Sequence, residues 1–230
     1  MKLLLTCEHG GNKIPKAYKN FFHTPVLKTH RGYDLGALDL FQFLKSLSDA
    51  SFFSTTSRLL IELNRSLHHR NLFSEFSSEF SKKEKAELIT TYYVPYRAAV
   101  EKNIKNEIEN GESVLHLSIH SFTPKLHGEK RNCDIGLLYD SKKKKEQEFC
   151  KQFKEGLLQQ DSSLQVRFNY PYLGSADGFT TYLGKQFPKN YIGVEIEVNQ
   201  KFASENVLNL ELKKCIFTAI ENFKSMNYSF

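Results

Sequence analysis

Two apolar runs in this chain lead directly to a histidine. Val114–His120 reads VLHLSIH, and Lys2–Cys7 continues into Glu8-His9-Gly10-Gly11-Asn12. Ligands in open α/β sheets sit outside the carboxyl ends of strands, so both imidazoles stand where chemistry is usually done. Taken singly, a buried histidine is more often a hydrogen-bonded core residue than a ligand. Two strands that each finish on one suggest a metal site built from separate segments.

Three further segments supply what such a site needs. In HRGYDLGALDLFQFL, Asp34 opens an amphipathic helix with Leu35, Leu38 and Phe41 inside. It reads either as an N-terminal capping acid or as a carboxylate metal ligand. Arg31, three residues earlier, is placed to meet an anion. In SRLLIELNRS a strand over Leu59–Leu63 delivers Asn64 and Arg65 at its end. The planar guanidinium fork matches a carboxylate in a way that a lysine cannot. In GVEIEVNQ, Glu195, Glu197 and Asn199 share one strand face. Buried acids need a counter-charge or a metal. Glu197, nearer the carboxyl end, is preferred to Glu195 as a general base. By the same period of two, His116, Ser118 and His120 share a face. His120 is the ligand candidate there, while His116 and Ser118 make internal hydrogen bonds. Zinc hydrolysis needs three protein ligands and an open position, and a nearby carboxylate to move the proton.

Strands and helices must alternate to position these groups. Strand-like runs are Lys2–Cys7, Leu59–Leu63, Val114–His120, Asp134–Tyr139, Val166–Asn169 and Ile192–Val198. Helical patterns cover Leu35–Leu47, Pro95–Asn110, Lys142–Gln159 and Asn206–Lys224. Alternation of this kind predicts an α/β layer fold, read as a single domain over residues 1–230. Leu67–Lys85 reads as an irregular excursion whose Phe73, Phe76 and Phe80 pack at helical spacing on the protein's own surface. The hydrophobic share of 40% supports a sizeable core and excludes a disordered chain. The four cysteines are scattered, with no CxxC pair, so they read as reduced and buried. Cys7 shares a strand face with His9, but its spacing alone gives little support to a thiolate role. The net charge of +6 sits largely in lysine runs without interleaved aromatics. That argues against nucleic acid and leaves small anionic substrates compatible. No run is long enough to span a membrane, and MKLLLTC is too short for a secretory leader, so a cytoplasmic location is expected.

At this point the motifs look familiar. CEHGGNKIP, HRGYDLGA, RLLIELNRS, IHSFTP, DIGLLYD and GVEIEVNQ together resemble the N-formylglutamate amidohydrolase family, in that family's order, over about Lys2–Asn199. The family looks like a branch of the zinc carboxypeptidase and amidase assemblage. The resemblance implies a three-layer α/β/α fold with a central mixed sheet, of the zinc-exopeptidase (phosphorylase/hydrolase-like) type. It implies one divalent ion, zinc first among the candidates, on His9, Asp34 and His120. By the same resemblance Glu197 is the catalytic glutamate and Arg65, with Asn64 before it, binds the substrate carboxylate; Arg31 is a second candidate. One departure stands out: the carboxypeptidase pattern has His-x-x-Glu, and here that fourth position is Asn12. An amide is a poor zinc ligand beside an available carboxylate, so Asp34 is preferred to Asn12 or Glu8. The expected reaction is metal-dependent hydrolysis of a linear amide, releasing formate and glutamate from an N-acyl amino acid such as N-formyl-L-glutamate. The rival readings are a metallopeptidase or peptidoglycan-type amidase, and a non-catalytic small-molecule binding protein on the same fold. In NYPYLGSADGFT, Asn169, Gly174 and Asp177 are expected to shape the pocket.

Overall fold

The computed structural model describes residues 1–22 and 24–225. Its centre is a six-stranded sheet of β1 (Lys2–Cys7), β2 (Ala50–Phe53), β3 (Val114–Phe122), β4 (Ile135–Leu138), β5 (Val166–Phe168) and β6 (Tyr191–Asn199). The strand order is β2-β1-β3-β6-β4-β5. β2, β1, β3 and β6 run parallel; β4 pairs antiparallel with β6, and β5 runs parallel to β4. The sheet is therefore mixed, as the resemblance implies.

Six longer helices surround it: α1 (Ala37–Leu44), α2 (Lys82–Leu88), α3 (Val94–Glu109), α4 (Lys144–Gln160), α5 (Phe179–Gln186) and α6 (Leu210–Ser225). Leu3, Leu5, Leu115, Leu117, Ile119, Ile192, Val194 and Ile196 point to one face and pack on α1, α4 and α6. That face is apolar up to Ser121, near the end of β3. The opposite face, under α3 and α5, holds Leu4, Val114 and Tyr191 near the strand starts and a polar ladder beyond them. In that ladder Thr6 stands beside Ser118, Ser118 beside Glu195, and His120 beside Glu197. The period of two thus separates a dry core from a chemical surface.

Three expectations need correction. Leu59–Leu63 is not a strand. It is a buried turn whose Leu60, Ile61 and Leu63 fill a second apolar cluster with Tyr18, Leu72, Phe80, Leu88 and Tyr93. A short apolar run records burial and cannot by itself distinguish a sheet from a packed loop. The strand beside β1 is instead ASFF, at the sheet edge. The aromatic excursion is not helical where its Phe residues lie: turns carry it to Ser81, whose capping box with Glu84 starts α2. Phe80 stacks on Tyr18, and Phe76 lies against Phe22, so these rings do pack on the protein's own surface. Finally, α1 begins at Ala37 after Gly36, whose φ is +77°, so Asp34 does not cap it. Residues 206–208 form a bend with a short strand before α6. Among the described residues no helix is long and apolar enough to cross a membrane, and all four cysteines are free and buried.

His116 has the structural role expected of it. It is fully buried, 2.8 Å from Thr6 Oγ1 and 2.7 Å from the Tyr191 hydroxyl. Burial, reinforced by the charge of His120, lowers its pKa to about 4. The unfolded chain, with an ordinary value near 6.5, binds more protons in this window. Stability conferred by the neutral ring is complete above pH 6.5 and is lost as pH falls toward 4, by about 3 kcal/mol. In His116→Gln this increment of acid sensitivity should disappear: the wild-type-minus-variant difference in urea unfolding free energy should fall by about 3 kcal/mol from pH 7 to pH 4.

Candidate active site

The C-terminal ends of β1, β3 and β6 bring together most of the residues singled out in the sequence. His9 follows β1, and His120 lies near the end of β3. Asp34 stands in the turn before α1, where its N–H donates to the His9 carbonyl at 3.0 Å. This backbone tie turns its carboxylate inward. Asp34 Oδ2 lies 2.9 Å from His120 Nδ1 and 3.3 Å from His9 Nδ1, and accepts from the Ser121 N–H at 3.3 Å. All three residues are buried.

The far side of each ring is also held. His9 Nε2 bonds the Glu62 carboxylate. His120 Nε2 lies 3.2 Å from Glu8 Oε2 and 2.9 Å from Ser118 Oγ. Glu8 in turn accepts from Ser118 Oγ at 2.6 Å and from the Tyr96 hydroxyl at 2.9 Å. Arg58 donates to Glu62 Oε2 at 2.9 and 2.7 Å and to Asp34 Oδ1 at 3.3 Å. Arg58 and Glu62 are functional neighbours that the sequence reading missed. Their four-residue spacing was the available signal, and it looks like an ordinary surface pair.

Electrostatics follow from this crowding. Burial and Arg58 oppose a charged His9, but Glu62 and Asp34 outweigh them and raise its pKa. Burial likewise opposes a charged His120, yet hydrogen bonds to Asp34 and Glu8 raise it well above its ordinary value. Glu8, Asp34 and Glu62 are held well below the usual carboxylate range despite burial: Glu8 chiefly by His120, Asp34 by His9 and His120, and Glu62 by Arg58 and His9. Glu197 differs. Burial pushes it up to about 7, with Asp34 and Glu195 adding to the effect and His120 opposing it. Its Oε2 is buried without a hydrogen-bond partner among the described residues. Glu195, two residues earlier, accepts from Asn64 Nδ2 at 3.3 Å and Thr180 Oγ1 at 3.2 Å. The preference for Glu197 over Glu195 thus gains a geometric reason.

These residues fit a metal ion. One ligand atom each from His9, Asp34 and His120 lie within 4.8 Å of one another. The inner nitrogens converge on one carboxylate oxygen while carboxylates hold the outer ones, the arrangement that fixes metal-binding histidines. Glu8 and Asn12, the other candidate ligands, are placed elsewhere. Glu8 sits behind His120, and Asn12 donates to the Leu27 carbonyl at 3.0 Å. The glycines after His9 admit not a ligand but the chain itself: a Cβ on Gly11 would lie 2.7 Å from the Thr55 carbonyl oxygen.

A cleft of about 190 Å³ opens over this group, lined by His9, Asp34, Arg58, His120 and Glu197 at its base. Arg65 lines one wall and donates to the Asp177 carbonyl. Asn64 stands beside it, its Oδ1 accepting from the Phe179 N–H at 2.7 Å. Behind them Arg97 is buried against the rings of Tyr93, Phe179 and Tyr182 and donates to the carbonyls of Leu63 and Arg65. Gly174 and Asp177 line the cleft, and Asn169 Oδ1 pins their loop by accepting from the N–H groups of Tyr139 and Gly174. Arg31 is not brought in. It lies exposed on the surface, paired with Glu75, because its turn directs the side chain away from the one that carries Asp34.

The profile of the N-formylglutamate amidohydrolase family matches residues 1–203. A solved gene product of Agrobacterium tumefaciens is 24% identical, with a TM-score of 0.79, and the match covers 99% of this chain and 92% of that one. A solved N-formylglutamate amidohydrolase of Ralstonia eutropha is 17% identical, with a TM-score of 0.76, covering 98% and 93%. No curated protein matches the chain.

The outer carboxylates give a direct test of the ion site. Replacing Glu62 by Gln leaves the shape but weakens the hold on His9 Nε2. Zinc affinity, measured by competition with a chelating dye, should fall about 10–100-fold. Unchanged affinity would remove Glu62 from the support of the site.

Proposed function

We propose, from the premise that the chain belongs to the N-formylglutamate amidohydrolase family, that it hydrolyses the linear amide of a small N-acyl amino acid, with N-formyl-L-glutamate the leading substrate. The observation that carries this reading is Glu197 Oε2, without a hydrogen-bond partner among the described residues and buried in the cleft beside the convergent His9, Asp34 and His120. A proton acceptor next to a cation-holding triad is the equipment that amide hydrolysis needs.

His9, Asp34 and His120 would hold one divalent ion, zinc being the first candidate. When bound there it would supply Lewis acidity, acidifying water and polarising an acyl carbonyl. Iron, cobalt and manganese suit the same donors. The chain's own groups do the rest. Glu197 takes a proton from the attacking water and returns it to the leaving amine nitrogen. Its raised pKa suits a group that must both accept and release a proton near neutrality. Arg65 pairs with the substrate carboxylate, held in place by the Asp177 carbonyl on one side and by Arg97 and Tyr93 against its own backbone. Asn64 and Thr180 fix Glu195, keeping a second carboxylate out of competition with Glu197. Arg58 binds Asp34 and Glu62 together and limits the excess negative charge of the cleft floor.

The cleft volume favours a small acylated amino acid over a peptide or a glycan strand. A panel of N-formyl, N-acetyl and N-succinyl amino acids beside peptides and muropeptides tests this. Zinc-loaded protein should release free amino acid from the first group alone, and a chelator should stop it. Cleavage confined to peptides or muropeptides would overturn the substrate, and no hydrolysis with zinc, cobalt or manganese would overturn the enzyme.

Replacing Glu197 by Gln should lower kcat about 10²–10⁴-fold. Metal content, by mass spectrometry, and KM should stay near wild type. Unaltered kcat would take the proton-transfer role away from this residue.

A further inference from the structure

The loop that covers the cleft carries two large apolar side chains that the fold leaves open to solvent. Tyr172 is 45% exposed and Leu173 64%, although both line the cleft. Phe122 and Leu126 line it as well. Phe122 ends β3, and Leu126 lies on the hairpin of Lys125–Leu126 and Glu129–Lys130 that follows. Arg131 joins the hairpin to the loop, donating to the Thr123 carbonyl at 3.5 Å and to the Tyr172 hydroxyl at 3.2 Å. Arg131 itself lies outside the cleft lining.

The covering loop therefore runs from a polar end to an apolar one. At Asp177 it meets Arg65 and Ser66. At Tyr172 it meets the hairpin. Two guanidiniums line the cleft. Arg58 is neutralised by Asp34 and Glu62, whereas Arg65 has no carboxylate at ion-pairing distance among the described residues. The carboxylate of an N-acyl amino acid thus belongs at the Arg65 end. The acyl substituent leaves the scissile carbonyl away from the amine and its carboxylate, toward Phe122, Leu126, Tyr172 and Leu173. A formyl group has only a hydrogen beyond its carbonyl carbon, and would leave these carbon surfaces facing water. An uncharged alkyl chain would cover them.

We infer that these four side chains form a subsite for the acyl group, and that the substrates it favours are N-acyl amino acids with a short alkyl acyl chain such as propionyl or butyryl. Hydrolysis breaks the amide C–N bond of such a compound. Water supplies hydroxide to the acyl carbon and a proton to the amine nitrogen, releasing the alkyl carboxylate and the amino acid. The turnover rests on the amide hydrolysis proposed above; the binding does not. N-formyl-L-glutamate remains a substrate, held less tightly than its alkyl counterparts.

Calorimetry on zinc-loaded Glu197→Gln protein, in which turnover is slowed, tests the binding. Affinity should rise about 2–4-fold for each added carbon along N-formyl-, N-acetyl-, N-propionyl- and N-butyryl-L-glutamate. Replacing both Leu126 and Leu173 by Ser should bring the butyryl-to-formyl ratio near one, with each single replacement between. Unaltered melting temperature and zinc content would show that fold and ion site are intact. In turnover, wild type should favour N-butyryl- over N-acetyl-L-glutamate in kcat/KM, a comparison of two amides of similar intrinsic reactivity. No gain from formyl to butyryl would overturn the inference, as would a gain that survives the double replacement. Tighter binding of N-succinyl- than of N-butyryl-L-glutamate would overturn the apolar character of the subsite. A gain from N-formyl-L-leucine in place of the longer acyl chains would overturn its assignment to the acyl group. A chain-length gain that depends on Leu126 and Leu173, without hydrolysis of any N-acyl amino acid by wild type, would uphold the subsite and overturn the proposed reaction instead.

Discussion

One carboxylate oxygen organises this protein. Asp34 Oδ2 meets two imidazoles and a backbone N–H, drawn from two distant parts of the chain. The acid is buried, so its charge is tolerable only while these donors or a cation surround it. The same demand runs outward. Each histidine needs its own carboxylate on the far nitrogen. Glu62 needs Arg58, and Glu8 needs Ser118 and Tyr96. The second layer of the site is thus a consequence of putting the first below the surface.

The sheet makes that burial affordable by dividing its faces. One side of β1, β3 and β6 is apolar but for Ser121 near the end of β3, and it anchors α1, α4 and α6. The other side carries the polar ladder. Neither face compromises the other, because successive residues of a strand point to opposite sides of the sheet. A shift of one residue in the pairing of β3 with β6 would put Glu195 and Glu197 among leucines. The apolar core therefore sets the register on which the chemistry rests.

Much of this was legible in the sequence. Long apolar runs such as VLHLSIH and GVEIEVNQ announce central strands, and polar residues interrupting them at a period of two announce a working face. His9, Asp34, His120, Glu197, Arg65 and Asn64 are brought to one cleft, with Glu197 Oε2 left without a hydrogen-bond partner among the described residues. What sequence patterns cannot carry is direction outside regular structure. Leu59–Leu63 is as apolar as a strand, yet it folds as a turn because the segments around Tyr18 and Phe80 offer it a second core. Arg31 is close to Asp34 in sequence, yet it pairs with Glu75 on the surface. Arg58 and Glu62 escaped notice because their importance arises only when His9 arrives from another strand.

The placement of β6 has a consequence for assembly. His9, Asp34 and His120 all precede Glu197 in the chain, so the proposed cation ligands are synthesised before the strand that carries the proposed proton acceptor. Until β6 inserts between β3 and β4, the central strand β3 presents an open edge whose backbone groups invite pairing with any extended segment. The chain must also bring Lys2 and Val114 into register across a long crossover, a slow kind of closure. The strand that sequesters that edge is therefore also the one that brings Glu195 and Glu197 to the cleft.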